Sequence, residues 1–155
     1  MNTIDAAYIF LITSTALLMG NEFSIAAFIH PSLSKADHKH FIPAIQVFAK
    51  LFGKVMPFWM AATLLLHLAL AWCMWASHRS AGLFTLYAGF AWAFIVIFSV
   101  VFPVPINNRV GRWNPSDLPP NWESERKLWD IYNSVRVAVI GVAFILLIVA
   151  YRKAV

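Results

Sequence analysis

Apolar residues run almost unbroken through four stretches of the chain, at about residues 6–29, 55–77, 81–102 and 135–151, and the polar residues collect between them. Each stretch approaches or exceeds the roughly 20 residues that a helix needs to cross a hydrocarbon layer about 30 Å thick. None shows the two-residue alternation of a barrel strand, and lipid admits only helices or closed barrels. The expected fold is therefore all-α, an integral membrane four-helix bundle forming a single transmembrane domain over residues 1–155. Through four crossings, the end of the first span, the start of the second, the end of the third and the start of the fourth fall on one side. Asn21, Glu22, His30, His38, His40, Asn107, Asn108, Trp113, Trp129, Asn133 and Arg136 all belong to that side, where a pocket is expected.

The connections differ in character. His30–Pro31 is expected to end the first helix, because proline disfavours helical geometry at the residue before it. Phe41, Ile45, Phe48 and Leu51 or Phe52 then recur at helical spacing, with Gln46, Lys50 and Lys54 elsewhere, which predicts a short amphipathic helix at the membrane interface. The connection SHRSAG is tight and makes spans two and three antiparallel neighbours. From Phe102 to the fourth span the chain carries five prolines and three tryptophans, which predicts a cap loop with turns at Asn-Pro and Pro-Pro. Glu123 and Glu125 mark a helix start, and that helix is expected to run unbroken into span four. Trp113, Trp122 and Trp129 fit an interfacial aromatic belt.

Composition agrees: 61% hydrophobic, 12% charged and a mean hydropathy of +0.69, far from the roughly 25% charged residues of soluble domains. The net charge of +5 reads as membrane orientation rather than nucleic-acid binding. Lys35, Lys39, Lys50, Lys54, Arg109, Arg112, Arg126 and Lys127 flank one side, against Arg79, Arg152 and Lys153 on the other. The positive-inside bias places the long loops and the pocket in the cytoplasm, in a bacterial plasma membrane. The amino-terminal MNTIDAAYIF lacks a basic region before its long apolar stretch and is expected to remain as a helix rather than act as a cleaved signal. Cys73 is the sole cysteine, so the chain has neither an internal disulfide nor the CxxC pair of a thiol-based quinone reductase.

Glu22 is the sharpest chemical signal. It lies about 12 Å inside the His30 end of its helix, where an ionisable residue costs about 2.5–3.5 kcal/mol and usually faces the bundle interior. It is either a proton acceptor or half of a structural ion pair, or else a carboxyl held protonated beside Asn21. Trp129, Asn133 and Arg136 stand at i, i+4 and i+7 on one helix face. That stripe either flanks a flat, oxygen-bearing ligand or lends Arg136 to Glu22. Asn107 and Asn108 read as turn residues or as donors to a developing oxyanion. His38 and His40 point apart on a helix, and no metal motif is present. His67 reads as a core histidine, with a haem ligand as the alternative.

The segment PINNRVGRW, then Trp129, Asn133 and Arg136 as W-x3-N-x2-R, with Gly20, Glu22, His30 and Pro31 near the end of span one, resembles the anthrone-oxygenase-like family of small four-helix membrane proteins. The resemblance covers essentially the whole chain. Fungal members are associated with cofactor-free oxidation of anthrones to anthraquinones, which requires a base, donors for an enolate, and a dry pocket admitting oxygen. It implies Glu22 as the base, Asn133, Arg136 and Asn107 as oxyanion donors, and Trp129 as a stacking wall, with Asn21, Asn108 and Trp113 about the substrate. Members of the family often have histidine where this chain has Asn133, and asparagine cannot accept a proton, so a base role at that position does not carry over.

The leading expectation is a membrane oxidoreductase, an oxygenase of a lipophilic anthrone-, phenol- or quinone-like substrate, with no cofactor and no metal. Its partners are membrane lipid and that small molecule, not nucleic acid. Gly89, Ala91 and Ala93 would allow close packing within the bundle or between copies in a homo-oligomer. A small proton-coupled transporter and a non-catalytic membrane scaffold are the alternatives.

Overall fold

The computed structural model describes residues 3–35 and 37–155, apart from the side chain of His38. Helix α1, Thr3–Ser24, widens into a π turn at Ile25–Ile29 and closes with the short α2, His30–Leu33. The break expected at Pro31 does not occur. Proline lacks an N–H and crowds the carbonyl four residues back; just before it the His30 N–H reaches five residues back, to the Ile25 carbonyl, and the chain stays helical.

Helix α3 is a single element of 40 residues, His38–Ser77. The amphipathic stretch expected as a separate interfacial helix forms its first turns. The helix runs through Pro43 and Pro57 into span two without a break. A single residue, His78, joins α3 to α4, Arg79–Val101. The segment PVPINNRV, expected in the cap loop, is helix α5, Pro103–Val110. Its prolines occupy the first turn, where a missing N–H forfeits no intrahelical bond. The true loop is short, and α6, Trp122–Ala154, runs unbroken from the cap through the fourth span as expected.

Four of these helical stretches are long and apolar enough to cross a membrane, and the protein is an all-α integral membrane four-helix bundle. Helix α4 packs mainly on α6 and α3, and α1 packs mainly on α6 with a thinner contact to α3. Leu11, Leu18, Trp92, Ile95, Ile140 and Leu147 fill the centre. Polar groups inside are tied down locally. Thr85 donates to the Ala81 carbonyl and accepts from the Tyr8 hydroxyl at 2.8 Å. His67 donates through Nδ1 to the Thr63 carbonyl and stacks on Trp92.

A second cluster, built on Phe41, Ile42, Ile45, Ile106 and Val110, roofs one end of the bundle. The Gln46 amide donates to the carbonyls of Val110 and Trp113, both at 2.9 Å, which ties α3 to the end of α5. The Arg109 guanidinium pairs with Glu125 at 2.8 Å, tying α5 to α6.

Two glycines, Gly82 near the start of α4 and Gly141 within α6, tolerate added volume differently. A Cβ at Gly82 would lie 3.2 Å from the Trp75 nitrogen and 3.3 Å from the Ala71 carbonyl oxygen, whereas one at Gly141 meets nothing within 4 Å. Gly82→Ala is expected to destabilise by about 1–3 kcal/mol through overpacking. Gly141→Ala is expected to be neutral or to stabilise by up to about 1 kcal/mol. Thermal unfolding in detergent distinguishes them, and equal Tm values for both variants would contradict the close approach of α3 and α4.

Candidate active site

Beneath the roof lies a cavity of about 200 Å³, small beside the roughly 300–1,000 Å³ of drug-sized ligand sites. Its wall comes from the end of α1 and the π turn, the first half of α3, the end of α4, α5 and the start of α6, the end where the sequence gathers its polar residues. Most of it is apolar, with Ile25, Ile29, Phe52, Met56 and Ile106 prominent. On the side between α3 and α4–α5 the wall is one residue thick. Phe48, Gly53, Pro57, Val100 and Val104 all line the cavity and are also exposed on the outer surface of the bundle.

Glu22 and Arg136 meet at the cavity floor. An Arg136 Nη2 donates to a Glu22 carboxylate oxygen at 2.6 Å, and both side chains are buried. The same nitrogen lies 3.9 Å from the Met60 sulfur. Asn133, fully buried one turn before Arg136, donates its amide to the Glu22 backbone carbonyl at 3.2 Å. Two residues of α6 thus grip one residue of α1, by its side chain and by its main chain.

A second pair stands at the roof. His30 Nδ1 lies 2.7 Å from Asp130 Oδ1, and the imidazole stacks on Trp129, with centroids 4.3 Å apart and planes 25° off parallel. His30 and Trp129 both line the cavity. Neither His30 nor Asp130 carried an assigned role in the sequence. The two are separated by 100 residues, so no local spacing announces the contact; the only signal available was that Asp130 directly follows Trp129 on the predicted stripe.

Among the lining residues, Arg136 Nε, Trp129 Nε1, Arg126 Nε and the Ser99 hydroxyl oxygen are covered by neighbouring atoms and have no hydrogen-bond partner among the described residues. Buried polar groups are nearly always paired in native proteins, so each exception calls for an explanation.

Of the residues singled out in the sequence, Glu22, Asn107, Trp113, Trp129 and Arg136 line the cavity. Asn133 lies behind the wall. Asn21 is half-buried with its amide nitrogen unpaired among the described residues, and Asn108 is exposed on α5; neither reaches the lining. His40 is exposed, His67 sits in the bundle core, and the side chain of His38 is outside the described residues.

A protein-family model described as anthrone oxygenase matches residues 47–146, from the first half of α3 to well within α6. No curated protein and no solved structure matches the chain.

Removing one partner of a buried ion pair leaves an uncompensated charge and typically costs about 3–5 kcal/mol. Arg136→Met alone is expected to show a loss of that order. Adding Glu22→Gln to it is expected to recover part of the loss, because no charge is then stranded. A double-mutant cycle on unfolding in detergent reads the coupling; strictly additive losses would show that the two side chains do not interact.

Proposed function

Because the chain belongs to the anthrone oxygenase family, we propose that its cavity takes a compact, flat, oxygen-bearing aromatic and oxidises it with dioxygen, without a resident cofactor. The observation that carries this reading is an otherwise apolar cavity wall that includes the N–H-bearing side chains of Arg136, Trp129 and Arg126. Donors fixed in a dry site stabilise an oxygen on which negative charge develops.

The chemistry balances with dioxygen as sole oxidant. A proton leaves the ring carbon opposite the carbonyl of an anthrone, and the electron pair moves to the carbonyl oxygen as an enolate, held by Arg136 and Trp129. The enolate passes electrons to dioxygen, a carbon–oxygen bond forms at the deprotonated carbon, and a proton completes the hydroperoxide. Loss of water leaves a second carbonyl, so anthrone and dioxygen become quinone and water. Glu22 holds the Arg136 guanidinium in place, and Asn133 holds the Glu22 main chain.

The thin wall at Gly53, Pro57, Val100 and Val104 supports a substrate that reaches the cavity from the bilayer. Below the Glu22–Arg136 layer, Leu18, Trp92, Ile95 and Ile140 are fully buried, which supports a blind pocket over a path for transport. With eight basic residues on the cavity side, the roof lies in the cytoplasm under the positive-inside rule.

Purified protein in detergent, given anthrone in air-saturated buffer, is expected to consume oxygen and form anthraquinone above the spontaneous rate. Arg136→Gln is expected to lower turnover by about 10²–10³-fold, as for loss of an oxyanion donor. Gly53→Trp, at a position with open space around it, is expected to slow turnover at unchanged Tm by filling the thin wall. Anthrone bound without oxygen uptake would end the oxygenase reading.

A further inference from the structure

Resting on the reading of the cavity as an oxidation site, we propose that His30, oriented by Asp130, is the general base that removes the proton from the substrate carbon. The base need not be the carboxylate at the floor. Glu22 has an oxygen 2.6 Å from a buried Arg136 nitrogen, and accepting a proton would strand that guanidinium without its counter-charge. His30 has the opposite surroundings. Its partner is a carboxylate, which stabilises the imidazolium formed when the ring takes up a proton.

The geometry sets which nitrogen reacts. A carboxylate only accepts, so at 2.7 Å it holds the imidazole proton on Nδ1. That leaves the lone pair on Nε2, which has no protein partner among the described residues. Asp130 is 44% exposed and does not line the cavity, whereas His30 is 14% exposed and does. With Nδ1 engaged by Asp130, which is outside the lining, Nε2 is the ring nitrogen left for the cavity that His30 lines. Trp129 fixes the plane of the ring from one face, and Asp130, the next residue on α6, fixes its rotation within that plane. A base needs this positioning before its basicity matters.

The arrangement also suits the substrate class. In an anthrone the carbonyl and the carbon that loses its proton are opposite corners of one ring. Donor and base must then stand on opposite sides of the ligand. Arg136 is at the floor beside Glu22, and His30 lies about 12 Å along the helix axis from Glu22, near the roof. Proton removal by His30 and enolate capture by Arg136 then occur at the two ends of a single bound ring system.

The proton step can be read without oxidation. Anthrone is incubated with purified protein in D2O without oxygen, and deuterium incorporation at the reactive ring carbon is followed by NMR. Wild-type protein is expected to accelerate exchange above the buffer rate. His30→Gln is expected to lose about 10²-fold or more of that acceleration, the usual scale of general-base catalysis, while still binding anthrone. His30→Ala should recover part of it with added imidazole, which excludes simple misfolding. Asp130→Asn is expected to lower the exchange rate at unchanged anthrone affinity, and His40→Gln, at the exposed surface, to leave exchange unchanged. Exchange that survives in His30→Gln, or the absence of any acceleration in wild type, would overturn the assignment. Wild-type exchange lost in His30→Gln, with no oxygen uptake in air, would leave the base assigned and remove the oxygenase reading alone.

Discussion

The buried contact between Glu22 and Arg136 is the constraint from which the functional end of the bundle follows. Two opposite charges inside an apolar bundle are tolerable only together, so α1 and α6 must meet at this level and in this rotation. The contact places Asn133 against the Glu22 carbonyl and aligns the stripe from Trp129 to Arg136 along the cavity. It also places the guanidinium on the cavity wall, so the pair that secures the helices also brings charge to the cavity. An apolar replacement would pack the helices as well and offer nothing to a ligand.

The roof depends on a different kind of contact. Its helices are held by Gln46 on the carbonyls of Val110 and Trp113, by Arg109 on Glu125, and by a compact aromatic and aliphatic cluster. These bonds lie at the end of the spans, where α3, α5 and α6 project beyond the main bundle. The core is closed, whereas the cavity beside the roof has a largely apolar wall that also carries Glu22 and Arg136. This division separates the inner stripes of the four spans, which carry stability, from the place where they splay, which holds the cavity.

Much of this was legible along the chain. The spans follow from apolar length, and Glu22 and Arg136 stand out because charges inside spans are costly; the sequence offered their pairing as one of two readings. Other features depend on contacts that a one-dimensional pattern does not carry. His30 and Asp130 come from different helices, and either alone is an unremarkable interfacial residue. Pro43 and Pro57 suggest interruption, yet α3 runs through both. In PVPINN the prolines suggest a loop, although their places in the first turn of α5 are those a helix accepts.

The π turn between Glu22 and His30 sets the angular relation of the two pairs. Eight residues of regular α-helix rotate about 800° at 3.6 residues per turn, which would leave His30 about 80° around the cylinder from Glu22. Widening the turn accommodates one residue beyond the α-helical count. Seven effective steps bring the two to within about 20°, on one side of the helix. Floor and roof thus share a face because this segment is one residue too long for an α-helix. Winding this segment as regular α-helix at its present length would alter no side chain of either pair, yet it would leave the imidazole about 80° around the helix from the carboxylate, so the alignment of the two pairs depends on the π turn.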